Sequence, residues 1–141
     1  MIKIVPYEES RHYPATIRLW RKIGWTPCPP EVLPDDGLVA EDADGRLIAY
    51  AGIYIIPGKI GYIDWSLADP ETGMIRGRAL FRILDGLIEL ARRNRCRFVY
   101  STTKTEAWKR LLIRAGMSLA EQGADTFILS TRHEDVSFIS D

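Results

Sequence analysis

The stretch from residue 60 to residue 80 holds the side chains best suited to chemistry. An apolar run ends at Asp69-Pro70, a glycine-bearing connection follows, and an amphipathic pattern begins at about Met74. This order predicts a strand, a loop and a helix, and the loop ends in Arg76-Gly77-Arg78-Ala79. A helix N-terminus favours anions, so two cations there indicate an anionic ligand held between them and the free N–H groups. The alternative is that both arginines are simply solvated.

Two carboxylates could take part in proton transfer, one inside this stretch and one before it. Asp64 interrupts the otherwise apolar run 60–67, and Glu41 lies on the preceding apolar segments. A partly buried carboxylate has a raised pKa, which suits a group that takes up and releases protons. Asp64 on a solvated strand face, or tying down a loop, is the alternative. The histidines, His12 and His133, have no partner at triad or ligand spacing, so no metal site is predicted.

Length and composition are those of an ordinary globular chain. The 141 residues are 46% apolar and 27% charged, enough for one domain with a real core. The 19 basic and 19 acidic residues cancel, which argues against a whole-surface nucleic-acid or membrane binder. No signal-peptide segment is visible, and no apolar run approaches the ~18 residues of a membrane span. Cys28 and Cys96, far apart, indicate reduced thiols in a cytoplasmic protein.

Periodicity predicts the elements that must position these residues. They are a strand at 2–5, a helix from Glu8 to Gly24, a proline-rich connection at 25–34, strands at 38–40, 46–56 and 60–67, a helix from Met74 to Arg93, a strand at 97–100, a helix opened by a capping box at Thr103–Glu106, and closing strands at 118–121 and 126–131. Strand 46–56 is apolar on both faces, so it should be central. The right-handed crossover rule makes strand 97–100 parallel to 60–67.

This order, together with the loop at 70–79, resembles the GNAT superfamily of N-acetyltransferases. In that family a V-x-P strand end precedes an (R/Q)-x-x-G-x-(G/A) loop, whose N–H groups hold the pyrophosphate of acetyl-coenzyme A. Ala68-Asp69-Pro70 stands in for V-x-P, and the loop matches at Gly77 and Ala79, with Met74 in place of Arg or Gln.

The resemblance implies a mixed α/β (α+β) fold. Its central twisted sheet would have about six or seven strands flanked by helices on both faces. Residues 1–131 would form a single domain, and residues 132–141 a C-terminal tail. The residues that the resemblance assigns to acetyl-coenzyme A are Leu67, Ala68, Met74, Ile75, Arg76, Gly77, Arg78, Ala79 and Thr105, the last at the family's Asn position.

The implied reaction is acetyl transfer to an amine by direct attack on the thioester. A backbone N–H of Leu67 or Ala68, at a splayed strand end, would polarise the carbonyl. Asp64, where the family often places a Glu, is the expected general base, with Glu41 in reserve. The family's usual general acid is a Tyr on the last helix, and Leu112 stands at that position. The proton donor is therefore left open among Tyr100, Ser101, Thr102 and Thr103.

The expected partner is a small-molecule or protein amine, and a homodimer is common among relatives. Two other functions stay open. One is a non-catalytic module of this fold that binds coenzyme A or nothing. The other is acyl transfer onto nucleic acid, through the basic run Arg92–Arg97 and the Trp25 and Trp65 rings, which the neutral overall charge does not favour.

Overall fold

The computed structural model describes residues 1–123, which form five strands, three α-helices and one 3-10 turn. In chain order these are β1 (Lys3–Pro6), α1 (Glu9–Lys22), β2 (Asp36–Glu41), β3 (Leu47–Ile56), β4 (Ile60–Ala68), the 3-10 turn (Pro70–Thr72), α2 (Ile75–Arg93), β5 (Phe98–Ser101) and α3 (Glu106–Arg114). None of the helices in this part of the chain has the length and apolarity to cross a membrane.

The five strands form one sheet in the order β1-β2-β3-β4-β5. Neighbouring strands are antiparallel except β4 and β5, which are parallel and joined by the α2 crossover. The prediction of a central, doubly covered strand is confirmed, because β3 lies in the middle of the sheet and is buried from Leu47 to Ile53. The predicted parallel pairing of β4 and β5 is also confirmed.

The sheet has a separate hydrophobic core on each face. One core joins α1 and the connection after it to the sheet, through Leu19, Trp20 and Cys28. The other joins α2 and α3, and its fully buried side chains include Ile83, Leu84 and Leu87. Helices therefore cover both faces, as the sequence predicts. The loop between β4 and α2 follows Leu67, which packs in the α1 core, and leads to Ala79, which packs in the α2 core.

Two predictions at the end of the chain need correction. The sheet in residues 1–123 has five strands, not six or seven, and residues 118–121 form no strand. An extended segment becomes a strand only where a neighbour pairs with its backbone, and the partner predicted at 126–131 lies outside the described residues. The tail at 132–141, the domain boundary at residue 131 and His133 lie outside them as well.

The start of α3 also differs from the prediction. Thr105, not Thr103, is the N-cap residue, and its hydroxyl accepts a hydrogen bond from the Trp108 N–H at 3.3 Å. The Thr103 hydroxyl accepts from the Thr105 N–H at 3.0 Å. The helix begins later because Thr105 has extended backbone angles and can itself close the first turn.

Strand β4 carries a bulge where it leaves β5. Leu67 pairs with Tyr50 and Asp64 with Gly52, so two residues of β4 face one residue of β3. Trp65, in the bulge, has φ of 63°, a left-handed conformation that is strained for a bulky residue. The ladder with β5 stops opposite Ile63. The last part of β4 thus continues past the end of β5 and opens the sheet between them.

Candidate active site

The first turn of α2 lacks the groups that normally close a helix start. Met74 occupies the N-cap position, is 96% exposed and has no side chain able to accept a hydrogen bond. The Arg76 N–H makes only a long 3.4 Å contact with the Gly73 carbonyl. The turn contains no acidic residue. Its N–H groups and the positive end of the helix dipole therefore face outward, which is the arrangement that binds anions.

The two arginines of this turn add to its positive charge. Arg76 donates to the Pro70 carbonyl at 3.3 Å, a contact that holds its guanidinium beside the loop. Arg78 is exposed, and no carboxylate among residues 1–123 lies within ion-pair distance of either guanidinium. Both cations thus remain unneutralised by the described part of the chain, at a helix end that the dipole already makes positive.

Two glycines of α2 differ in what surrounds them. A Cβ on Gly86 would lie 2.6 Å from the end of the Leu38 side chain, so a larger residue there would make Leu38 shift. A Cβ on Gly77 would meet nothing within 4 Å, and the position has no positive φ. A glycine inside a helix costs about 1 kcal/mol relative to alanine. Because nothing in the fold requires Gly77, its effect is to leave the first-turn backbone uncovered.

Ala79 and Thr105, both predicted to contact the cofactor, have structural roles here. The Ala79 side chain is fully buried in the core between α2 and the sheet, so packing already requires a small residue. The Thr105 hydroxyl is used in capping α3. Met74, Ile75, Arg76, Gly77 and Arg78, by contrast, come together at the exposed loop and first turn.

Leu67 and Ala68 present different groups to the opening beside β4. The Leu67 side chain packs into the α1 core, and Ala68 packs against the α2 core. The Asp69 N–H donates to the Ile48 carbonyl of β3 at 2.7 Å. Because successive backbone groups of a strand point to opposite edges, the Ala68 N–H points away from β3, towards the side where β5 has ended.

Asp64 lies one strand residue before the bulge, opposite Gly52. One of its carboxylate oxygens accepts the Trp65 N–H at 2.8 Å, a bond that helps to hold the left-handed backbone. Burial raises the pKa of Asp64, and the bond from the Trp65 N–H opposes part of that rise. No cation among residues 1–123 forms an ion pair with it. Its carboxylate is therefore a partly desolvated proton acceptor.

Glu41, the reserve base, is already committed to other contacts. It is buried, and both of its oxygens accept from Arg11 Nη2, at 2.9 and 2.8 Å. Its Oε2 also lies 3.2 Å from His12 Nε2. The other ring nitrogen, Nδ1, accepts the Glu8 N–H at 2.9 Å, so both nitrogens of His12 are used in holding the start of α1. These contacts tie Glu41 to α1, so we assign it a structural role.

The four hydroxyls proposed as proton donors differ in availability. The Ser101 hydroxyl donates to the Ile63 carbonyl at 3.0 Å and accepts from Trp108 Nε1 at 3.4 Å. Thr102 shares a 2.8 Å hydrogen bond with the Tyr62 hydroxyl, and Thr103 serves the start of α3. Tyr100 is exposed on β5, and within residues 1–123 its hydroxyl has no hydrogen-bond partner. Leu112 is buried in the α2 core and offers no polar group.

Sequence reasoning missed the role of Asp69. It is buried at the end of β4, accepts the Glu71 N–H at 3.0 Å and forms ion pairs with Lys22 and Arg46. An Asp before Pro-Glu is a typical cap for a short turn, so the backbone contact had a local signal. The two ion pairs had no such local signal, because Lys22 and Arg46 are distant from Asp69 along the chain.

The bulge residue Trp65 was also missed as a structural feature. Its indole Nε1 donates to the Tyr54 hydroxyl at 2.7 Å, and that hydroxyl donates to the Val32 carbonyl. This chain of bonds ties the bulge to the proline-rich connection. No group of three or more potential metal ligands was found among residues 1–123.

Comparison with known proteins bears on the fold. No protein-family model and no curated protein sequence matches the chain. Among solved structures, glucosamine-6-phosphate N-acetyltransferase from Arabidopsis thaliana is 16% identical, with a TM-score of 0.71, over 90% of this chain and 98% of its own. A GNAT-family acetyltransferase from Staphylococcus aureus Mu50 is 12% identical, with a TM-score of 0.68, over 89% of this chain and 90% of its own.

A third structure contains a ligand. Rv2747 from Mycobacterium tuberculosis, in complex with CoA, is 21% identical, with a TM-score of 0.57, over 77% of this chain and 69% of its own. At such low identities the sequences have diverged too far to transfer individual residue roles. What remains common is the arrangement of strands and helices, which confirms the predicted resemblance at the level of the fold. The chain has the fold of the GNAT-family acetyltransferases.

Proposed function

We propose that this protein is an acetyl-coenzyme A-dependent N-acetyltransferase acting on an amine that is still to be identified. The observation that carries the proposal is the uncapped, cationic first turn of α2, with Gly77 leaving its backbone uncovered. The fold supports it, since solved proteins with the same architecture include named acetyltransferases, and another, Rv2747, was solved in complex with CoA. The unpaired cysteines fit a reducing, cytoplasmic location.

The residues present fit a diphosphate at the start of α2. The N–H groups of the first turn, including that of Gly77, would donate to phosphate oxygens, and Arg76 and Arg78 would supply the opposing charge. The pantetheine arm would then extend back along β4 through the opening beside β5. The Ala68 N–H, which points into this opening, is the donor that we assign to polarise the thioester carbonyl.

When bound, acetyl-coenzyme A supplies the acetyl group as an activated thioester. Asp64 accepts a proton from the acceptor amine, directly or through a water, as the nitrogen–carbon bond forms. Tyr100, whose hydroxyl has no hydrogen-bond partner among residues 1–123, would give a proton to the sulfur that leaves as the carbon–sulfur bond breaks. The raised pKa of Asp64 improves its match to this role, because a base with a pKa nearer the working pH accepts protons more effectively.

A second candidate function rests on Leu112. The position that carries the family's proton-donating Tyr is here an apolar side chain buried against α2. A protein that binds coenzyme A without turning it over would need no proton donor there. The two functions separate cleanly in experiment, since both require ligand binding at α2 and only the enzyme consumes the thioester.

Thermal unfolding with and without acetyl-coenzyme A tests the cofactor site. A ligand present at a hundred times its Kd stabilises the folded state by about 2.7 kcal/mol, so the unfolding temperature should rise by several degrees. Gly77→Glu should abolish this rise, because the added carboxylate enters the open space over the first turn and repels phosphate.

Ile113→Glu is the matched control for this experiment. It adds a carboxylate at an exposed position on α3, away from the α2 start, and should keep the full rise. No rise in the native protein at saturating ligand would refute the assignment. An equal rise in Gly77→Glu would move the ligand away from α2. A rise without any acetyl-coenzyme A consumption across a panel of amines would favour the non-catalytic module.

A further inference from the structure

Asp69 stands at the junction between β4 and the loop that leads to α2. Its side chain is 1% exposed. Its backbone is held on both sides, since its N–H donates to the Ile48 carbonyl at 2.7 Å and its carbonyl accepts the Thr72 hydroxyl at 2.7 Å. One side-chain oxygen, Oδ1, accepts the Glu71 N–H at 3.0 Å and thereby caps the 3-10 turn. The carboxylate thus fixes the first residues of the loop.

Two cations from distant segments converge on this carboxylate. Lys22, in the last turn of α1, places Nζ 3.0 Å from Oδ1. Arg46, in the turn between β2 and β3, hydrogen-bonds to Oδ2 through Nη2. Lys22 also contacts Glu71 at 2.8 Å, which closes the network on the loop itself. The loop before α2 is therefore linked to α1 and to the β2–β3 turn by one buried charge.

This network explains the charged groove beside it. The groove, of about 480 Å³, lies between α1 and the β2–β3 turn. Its cations Lys22 and Arg46 are neutralised by Asp69 and Glu71, and Arg11 is neutralised by Glu41. These ion pairs hold together the segments around the groove. Arg18 and Asp44 also line it and form no ion pair among residues 1–123.

We infer that Asp69 is a positioning residue for the coenzyme A diphosphate site. Through Lys22, Arg46 and the Glu71 N–H it fixes the loop whose far end presents the open first turn of α2. The inference rests on the proposed function, since the turn it positions is the site assigned to the diphosphate. It adds that the affinity of this turn depends on a charge network on the α1 face of the sheet, outside the ligand's own contacts.

The test compares two ligands that share one end. S-acetylpantetheine carries the thioester and the arm of acetyl-coenzyme A without the diphosphate. Asp69→Asn keeps an oxygen for the Glu71 N–H, but it removes the charge and replaces the oxygen that accepts from Arg46 with an NH2 group. We expect it to weaken acetyl-coenzyme A binding by about tenfold and acetylpantetheine binding by less than about twofold, because misplacing a binding group acts only on the ligand that uses it. Affinities are measured from the rise in unfolding temperature across a titration.

Asp36→Asn is the matched control. Asp36 is an exposed carboxylate at the start of β2, and it forms no ion pair among residues 1–123. It should leave both affinities unchanged. Arg46→Met provides a second variant that disturbs the fold less, because Arg46 is 56% exposed. It should weaken acetyl-coenzyme A selectively, and Arg46→Lys should restore most of the loss.

The possible outcomes are distinct. If the native protein does not bind acetyl-coenzyme A, both the proposed function and this inference fail. If the native protein binds it and Asp69→Asn and Arg46→Met bind it equally well, only the positioning role fails. Equal weakening of both ligands would show a general loss of structure and would also overturn the inference. Selective weakening with rescue by Arg46→Lys supports it.

Discussion

Asp64, in the middle of β4, and Asp69, directly after the end of β4, are surrounded by opposite kinds of electrostatic environment. Asp64 accepts the Trp65 N–H and pairs with no cation among residues 1–123, and burial raises its pKa. Burial would also raise the pKa of Asp69, but the Glu71 N–H, Lys22 and Arg46 outweigh it, so that pKa is lowered.

The difference distinguishes a carboxylate with a structural role from one that is suited to catalysis. A buried carboxylate surrounded by donors is stable as an anion and has little tendency to take up a proton. A partly buried carboxylate with one hydrogen-bond donor destabilises the folded state when it is ionised. Natural proteins keep such groups mainly where they have a function. By this criterion Asp69 organises the loop and Asp64 is the candidate base, although both are aspartates close together on the chain.

The largest expected effect is on turnover in Asp64→Asn. Losing a general base lowers the rate by about 10²–10⁴-fold, while the rise in unfolding temperature with acetyl-coenzyme A should remain. Release of free coenzyme A thiol, in the presence of an amine that the native protein acetylates, measures the rate. Asp36→Asn, at an exposed carboxylate on β2, is the control and should be active. Native turnover in Asp64→Asn would remove Asp64 from the mechanism.

The next largest effect is on the free energy of unfolding. We expect that removing the shared anion of the network costs less than removing its two cations. Asp69→Asn removes the buried charge and leaves Lys22 and Arg46, which are 31% and 56% exposed and can turn to water, so it should cost only about 1–2 kcal/mol. The double variant Lys22→Met/Arg46→Met strands the buried anion and should cost about 3–5 kcal/mol.

Urea unfolding measures both values. Arg92→Met, which breaks an exposed pair with Glu89, is the control and should change stability by no more than about 1 kcal/mol. If Asp69→Asn proves costlier than the double variant, then the buried carboxylate does not depend on Lys22 and Arg46 for its stability. The description of it as the centre of a charge network would then be wrong.

The sequence predicts most of the fold because its signals are local. Turn residues at Asp44-Gly45 and Pro57-Gly58, the apolar run of β3 and the four-residue period of α2 each specify an element without reference to distant partners. The strand count is where this reasoning went wrong, because whether residues 118–121 pair depends on a second segment. The start of α3 went wrong for a similar reason, since several threonines compete for one cap.

The candidate site was less accessible to sequence reasoning. Gly77 and the arginines beside it were visible because a helix start is a local feature. The opposite pKa shifts of Asp64 and Asp69 could not be predicted from the sequence. They depend on Lys22 and Arg46, which come close to Asp69 only in the folded chain. Ala79 matched the family motif, yet its burial shows that core packing alone accounts for a small residue there.

The smallest expected effect concerns the pH dependence of stability in the two asparagine variants. Between the ordinary value of 3.8 and the raised pKa of Asp64, the folded state binds more protons than the unfolded one, so Asp64 lowers stability as pH rises through that range. Asp69 does the reverse: its contribution is present above 3.8 and is lost as pH falls through its lowered pKa. Relative to the native protein, Asp64→Asn should therefore gain stability from acid to neutral pH while Asp69→Asn loses it. Urea unfolding of the three proteins across this range checks the prediction, and curves that change in the same direction would show that the two carboxylates do not differ as their surroundings indicate.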